Sequence, residues 1–515
     1  MFEIDNLTFR YPLSDQSNLQ KISLNIRKGD FVLIGGKSGS GKTTLLRHLK
    51  KELMPVGKRK GKIFYKGKPI QTLEGRKSAA EIGYLFQDPS SQLVMDTVWH
   101  EIAFGLENLG VSYEKMKRTV AEIVNYFNLQ EIYDCPPQEL SGGQKQMVNL
   151  AAITAMHPKV LLLDEPTAQL DSASKSKFLS MLQKLQKEFD MTIIFSSHDL
   201  EDVMEMADQC VFMEKGEIAA CGTVRESVHH LTKHCGELCQ TLPEILRLSQ
   251  TFQIEPTFCM AEVRDKIEHC QYEIVREKKK PFQPIMKLSH LYVGYDSNMV
   301  LKNLSFQLGE GEIFSVVGAN GSGKSTLLSC IAGNIKFDGQ IECARKIVYL
   351  PQDPTVLFMK DCLEEDLMDM AEADPQLLEE LLCMSDLEKE RKTHPYDLSG
   401  GQKQMAALVK LLLVKPEILL LDEPTKGVDR IHSRRFGHFL KNLSQKGMTI
   451  LMASHDLEFC AEFADCAGMM FDGKIEGIAD VEEFFSDNYF YTTTSAKITS
   501  QQKQRILLPE RVRCL

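Results

Sequence analysis

The chain has 515 residues, 43% hydrophobic and 26% charged, with 61 basic against 71 acidic side chains and a formal net charge of −10. This is the composition of an ordinary soluble globular protein with room for two to four domains. The acidic balance argues against a dedicated nucleic-acid binder but leaves open a local nucleotide pocket. The apolar runs, such as 160–163 and 411–414, fall far below the roughly 18 residues of a membrane span.

Residues 31–35 form a short apolar run that enters a glycine loop: Gly36, Lys37, Ser38, Gly39, Ser40, Gly41, Lys42 and Thr43. A helical pattern follows from Thr44 to residue 50. Strand, loop and helix in this order are the setting of a P-loop. Glycines let the backbone wrap phosphates closely, and the amides at the helix start face their charge. Lys42 is expected to reach the β and γ phosphates, and the Thr43 hydroxyl to bind Mg2+.

Farther along, Leu140, Ser141, Gly142, Gly143, Gln144 and Lys145 lead into a helical stretch from Gln146 to Ala155. Free amides at such a start attract anions. Residues 160–163 read as a central parallel strand buried on both faces. Asp164 ends it, where open α/β sheets place ligands, and is expected to hold the Mg2+. Glu165 is next and is expected to take a proton from an attacking water. His198 closes a further apolar run, 192–197, and is expected to donate a hydrogen bond to a terminal phosphate.

All of this returns. Gly318, Ala319, Asn320, Gly321, Ser322, Gly323, Lys324, Ser325 and Thr326 repeat the loop. Ser399, Gly400, Gly401 and Gln402 repeat the second block, Asp422 and Glu423 the third, and His455 the fourth. Four blocks in the same order, twice, mark two whole domains rather than a solenoid. Lys42 and Ser141 are 99 residues apart, but Lys324 and Ser399 only 75. From the second block to the third the spacing is identical in both copies. The nucleotide core is therefore held while its periphery varies.

The expected organisation is a first domain over 1–225, a helical extension and linker over 226–284, a second domain over 285–480 and a polar tail over 481–515. The linker is expected to end in an exposed, proline-broken tether near 273–284. The tail is expected to be poorly ordered in part. The N-terminus does not read as a signal peptide. The 14 cysteines lack CxxC spacing and are expected to be reduced, mostly buried thiols of a cytosolic protein rather than zinc or iron-sulfur ligands.

These blocks together resemble the ATP-binding cassette family. The resemblance implies an α/β fold of two tandem P-loop NTPase cassettes. Each would have a mostly parallel core sheet, a small antiparallel β subdomain and a helical signature subdomain. It implies ATP and Mg2+ as ligands. It makes Tyr11 and Tyr295 the adenine-stacking aromatics, and adds Thr44 and Thr326 to the nucleotide contacts. Gln87 and Gln352 become the Q-loop glutamines, sharing the metal. Ser141 and Ser399 become the signature serines, Asp171 and Asp429 the D-loop aspartates, and His198 and His455 the switch histidines. Head-to-tail pairing of the cassettes would join Lys42 with Ser399 and Lys324 with Ser141. Both copies keep lysine, aspartate, glutamate and histidine, so two competent ATPase sites are expected.

The segment from Gly83 through Gln87 to Gly110 resembles ATPase subunits of energy-coupling factor (ECF) transporters, importers of vitamins and of nickel or cobalt ions. Copy two carries a reduced version from Tyr349 to Met368. The resemblance implies a peripheral protein on the cytoplasmic membrane face. Its partners would be a transmembrane scaffold protein and a membrane substrate-binding component. Val98, Ile102, Phe104 and Leu106 are candidates for an apolar seat for a partner helix, with packing against their own domain as the alternative. Trp99 is a candidate anchor on the same segment. Two other readings carry weight: a sugar-importer ATPase, whose second P-loop is typically degenerate, and a soluble cassette protein acting on the ribosome, which usually has a long charged helical linker.

Overall fold

The computed structural model describes all residues except 13, 15, 276–281, 296–297, 372–373, 503 and 515. Half of the expected tether, 276–281, therefore lies outside the described residues. The chain divides into two compact units, Met1–Pro243 and Glu244–Leu515. Residues 226–243 of the expected linker thus fall in the first unit, and the rest in the second.

The first unit has strands β1 (Phe2–Arg10), β2 (Leu19–Ile26), β3 (Phe31–Gly36), β4 (Lys58–Tyr65), β5 (Lys68–Pro69), β6 (Ile82–Leu85), β7 (Val160–Asp164), β8 (Thr192–Ser197), β9 (Gln209–Glu214) and β10 (Glu217–Gly222). One sheet runs β10-β9-β3-β8-β7-β6 and is parallel except at β9/β10. Strands β3, β7 and β8 are buried along their whole length, which is why they read as unbroken apolar runs. A second, antiparallel sheet runs β2-β1-β4-β5. The helices used below are α1 (Lys42–His48), α2 (Val98–Asn108), α3 (Gly142–Ala155) and α4 (Ser172–Phe189). Gly35 pairs with Ser197, and Asp164 with Ser196. The glycine loop, Asp164 and His198 therefore leave the sheet at one carboxyl edge.

The second unit repeats the plan with β11 (Tyr272–Ile274), β12 (Pro284–Tyr295), β13 (Asn298–Gly309), β14 (Ile313–Val317), β15 (Asp338–Glu342), β16 (Ile347–Leu350), β17 (Ile418–Asp422), β18 (Thr449–Ala453), β19 (Cys466–Phe471), β20 (Lys474–Asp480) and β21 (Val512–Cys514). Its main sheet runs β16-β17-β18-β14-β19-β20, antiparallel only at β20. Its helices include α5 (Glu244–Thr251), α6 (Lys324–Ile331), α7 (Gly400–Leu412), α8 (Arg430–Gln445), α9 (Leu457–Phe463) and α10 (Thr494–Ile498). The companion sheet has three strands, β13-β12-β15. Among the described residues the second unit has no counterparts of β5 and of the helix Gly75–Glu81, which accounts for part of the shorter spacing in copy two.

Two expectations are corrected. The tail is folded: Ala496, Ile498, Ile506 and Leu508 are fully buried, and β21 pairs with β11. A few apolar residues in a polar stretch are enough to anchor it, and Thr493 Oγ1 donates to Leu507 O at 2.7 Å. The thiols are not mostly buried. Among the described cysteines Cys210, Cys330 and Cys460 are buried, while Cys221, Cys259 and Cys383 are exposed and the others half-buried. Many sit on edge strands and helix ends rather than in core strands. No described helix is long and apolar enough to cross a membrane.

Candidate functional site

In each unit the loop between the first core strand and its helix is built around one lysine. Lys42 Nζ donates to Gly36 O at 2.8 Å and Lys37 O at 3.0 Å. It also stands 3.2 Å from Glu165 Oε1. Lys324 Nζ repeats this with Gly318 O at 2.9 Å, Ala319 O at 3.1 Å and Glu423 Oε1 at 3.8 Å. Glycine is required at Gly36, where φ is +144° and an added Cβ would fall 2.4 Å from Met213 O. At Gly39, by contrast, a Cβ would meet nothing within 4 Å. The loop is open there to a ligand.

The residues fit a phosphate and its metal. Ser40 Oγ and Ser322 Oγ are buried inside the two loops with no hydrogen-bond partner among the described residues. A phosphate oxygen would satisfy either. Thr43 Oγ1 donates to Asp164 Oδ1 at 2.9 Å, and Ser325 Oγ to Asp422 Oδ1 at 3.0 Å. A hydroxyl and a carboxylate at that spacing form an oxygen donor set of the kind Mg2+ takes. Burial pushes both aspartate carboxyls up from their usual range, against the hydroxyls that hold them down.

The glutamates follow directly. Glu165 and Glu423 both have φ +48°, a left-handed conformation rare for a residue with a side chain. That turn brings Glu165 Oε2 within 2.6 Å of His198 Nδ1, and Glu423 Oε2 within 2.6 Å of His455 Nδ1. Burial alone would raise the Glu165 carboxyl, but His198 and Lys42 outweigh it and hold it at about 2. The same balance lowers Glu423, against burial. In return Glu165 lifts the His198 imidazole against its burial, and the hydrogen bond to Glu423 lifts His455. The copies differ in enclosure: the His198 side chain is 12% exposed and that of His455 37%.

Ser141 and Ser399 are N-caps. Gln144 N donates to Ser141 Oγ at 3.3 Å, and Ser141 N to Gln144 Oε1 at 2.9 Å. Ser399 and Gln402 form the same reciprocal box at 3.4 and 2.9 Å. Gly142 and Gly143, like Gly400 and Gly401, make the first turn of α3 or α7. Asp171 and Asp429 cap α4 and α8.

The sequence profile described as "ABC transporter" matches residues 19–168 and 301–426. The chain belongs to the ABC transporter family. A Bacillus cereus protein named as an ABC transporter ATP-binding protein is 38% identical over 520 residues, covering 96% of this chain and 94% of its own. A Methanosarcina mazei protein of the same description is 30% identical, covering 92% and 88%. A solved archaeal ribosome recycling factor, in complex with a ribosomal stalk protein, aligns with a TM-score of 0.63 over 94% of this chain and 91% of its own. At 20% identity it shares the fold alone. As a member of this family, the chain binds ATP with Mg2+ and hydrolyses ATP.

Other expected contacts of this ABC ATPase are dispersed. Tyr11 is half-buried, with its hydroxyl 3.3 Å from Thr44 Oγ1, whereas Tyr295 is 51% exposed. Thr326 occupies the first turn of α6. Gln87 and Gln352 are exposed, two residues beyond β6 and β16, and neither joins the hydrogen bonds around Asp164 or Asp422 among the described residues. Lys37 pairs with Glu237, while Ala319 stands in its place in copy two.

Three site residues escaped the sequence reading. Tyr84 and Tyr349 donate their hydroxyls to Asp164 and Asp422 at 3.0 and 3.1 Å. Their signal was a tyrosine three residues before the glutamine in both copies. Ser196 Oγ donates to Asp164 at 2.9 Å, and Ala453 stands at its place in copy two. The apolar seat is corrected in part. Val98, Ile102 and Leu106 are buried in their own unit, because α2 turns that face onto α3. Phe104 is 38% exposed. Trp99 is half-buried, its ring 6.4 Å from that of Tyr133.

Proposed function

We propose that this ABC ATPase drives uptake of a vitamin, a vitamin precursor or a metal ion through an ECF-type transporter, using two composite ATP sites. The duplicated carboxylate–imidazole pair, at 2.6 Å in both copies, is the observation that carries the two-site reading. Lys42 and Lys324 bind the phosphates. Thr43 with Asp164, and Ser325 with Asp422, hold Mg2+, which supplies charge neutralisation at the β and γ phosphates. A phosphate entering the loop competes with Glu165 for Lys42 Nζ. That competition removes a cation that depresses the carboxyl, and Glu165 gains basicity where an attacking water must lose a proton. His198 and His455 orient their glutamates and turn toward the terminal phosphate. The free amides at the start of each signature helix, at Ser141 and Ser399, suit a phosphate's charge, and hydrolysis removes that charge.

The membrane partner is supported by the ECF-like segment after Gln87. Val94 and Phe104 are exposed on it, as are Val356, Met359 and Met368 on its counterpart. Apolar side chains left in water on both copies suit helices of a scaffold protein. Purifying the tagged chain from detergent-solubilised host membranes tests this. Recovery of a scaffold-like membrane protein with a small hydrophobic binding component is expected. Recovery of ribosomal proteins instead would overturn it.

A further inference from the structure

We infer that Arg247 is a positioning residue for the second hydrolytic site, holding its switch segment in place through Glu458. This rests on the reading of Glu423 and His455 as the hydrolytic pair of that site.

Arg247 lies on α5, outside the nucleotide core, and its side chain is 6% exposed. Its two terminal nitrogens diverge: Nη2 donates to Glu458 and Nη1 to Glu510. Glu458 also takes both terminal nitrogens of Arg430. A guanidinium fork fixes direction as well as charge, which an ammonium does not.

The positions of these residues give the cluster its meaning. Arg430 is the first residue of α8, directly after Asp429. Glu458 is the second residue of α9, and the N-cap of that helix, Asp456, follows His455. One half-buried carboxylate thus joins the helix after the D-loop aspartate to the helix after the switch histidine. Arg247 fastens both to α5. That helix is itself tied down: the Glu244 carboxylate accepts the backbone N–H of Thr494 at 2.8 Å and of Ser495 at 2.9 Å. The folded tail therefore bears, through rigid groups, on the orientation of His455.

Copy one is built differently. Ser172 stands at the place of Arg430, and the tie runs from Lys175 to Asp199 and Asp202, each at 2.6 Å. His455 is also the less enclosed imidazole, so its geometry depends more on the helix that follows it.

The test uses the full chain. Arg247→Lys keeps the charge but loses the fork. Its 15N-histidine spectrum is compared with wild type, with His455 and His198 assigned from His455→Gln and His198→Gln. The expected result is a shifted His455 signal, an unchanged His198 signal, and kcat for ATP lowered about twofold or more at unchanged KM. Glu510→Gln, at a half-exposed carboxylate, removes one arm of the fork and should act in the same direction should the lysine variant fold poorly. An unmoved His455 signal, equal shifts of both histidines, or an unchanged kcat would each overturn the inference. Glu423→Gln separates the underlying reading: if hydrolysis survives it undiminished, the assignment of Glu423 fails whatever Arg247 does.

Discussion

The Glu165 carboxylate is shared between two nitrogens, His198 Nδ1 at 2.6 Å and Lys42 Nζ at 3.2 Å. A base held this tightly is not yet a base. On the proposed reading it becomes one when a phosphate claims the lysine, which would couple substrate binding to the readiness of the proton acceptor. The looser Lys324–Glu423 pair, at 3.8 Å, makes the second site the less tightly held of the two.

Glu165→Gln and Glu423→Gln should each leave ATP binding intact while lowering total hydrolysis. The double variant should fall by about 10²–10⁴-fold, the usual worth of a general base. Steady-state phosphate release measures this. A double variant with near-normal turnover would remove both glutamates from the chemistry.

Lys42→Ala strips one nitrogen from two loop carbonyls and from Glu165. Saturating MgATP at about 100 times Kd should stabilise the wild-type site by roughly 2.7 kcal/mol. In the variant the first unit should lose that gain, read by calorimetry as a smaller upward shift in Tm. A full shift would show that Lys42 does not hold phosphate.

Glu458 provides a pH test. Burial favours its neutral form, but Arg247 and Arg430 prevail and hold the carboxyl at about 2. A folded value below the unfolded one means stability that is present above about pH 4.3 and lost as pH falls toward 2. Urea midpoints from pH 7 down to 3 should drop more steeply in wild type than in Glu458→Gln. Parallel curves would contradict the ion-pair assignment.

Gly83 packs β6 against α3. A Cβ there would fall 2.3 Å from Ile153 Cγ2 and 3.1 Å from Leu161 Cδ2. Gly83→Ala should cost about 1–3 kcal/mol by overpacking. Chemical denaturation checks it, and an unchanged midpoint would mean that the helix yields freely.

Much of this was legible in the chain. The apolar runs at 160–163 and 418–421 announced strands buried on both faces, and each acid follows at the strand's end. Repetition raised single motifs to a domain plan. The fold of the tail was not legible, because its anchors, Ala496, Leu507 and Leu508 among them, belong to a core built from residues distant in sequence. Phe104 could not be separated from Val98 and Ile102 by periodicity alone, since neighbouring apolar residues on one helix can face core or water. Tyr84 and Tyr349 read as ordinary strand residues, and only pairing with the next strand brings their hydroxyls to Asp164 and Asp422.

The most direct test of two complete nucleotide sites in one chain is a count. Titrating MgATP into the Glu165→Gln, Glu423→Gln double variant by calorimetry should give two molecules bound per chain. A value of one would show that one of the duplicated sites does not bind ATP, and would contradict the account.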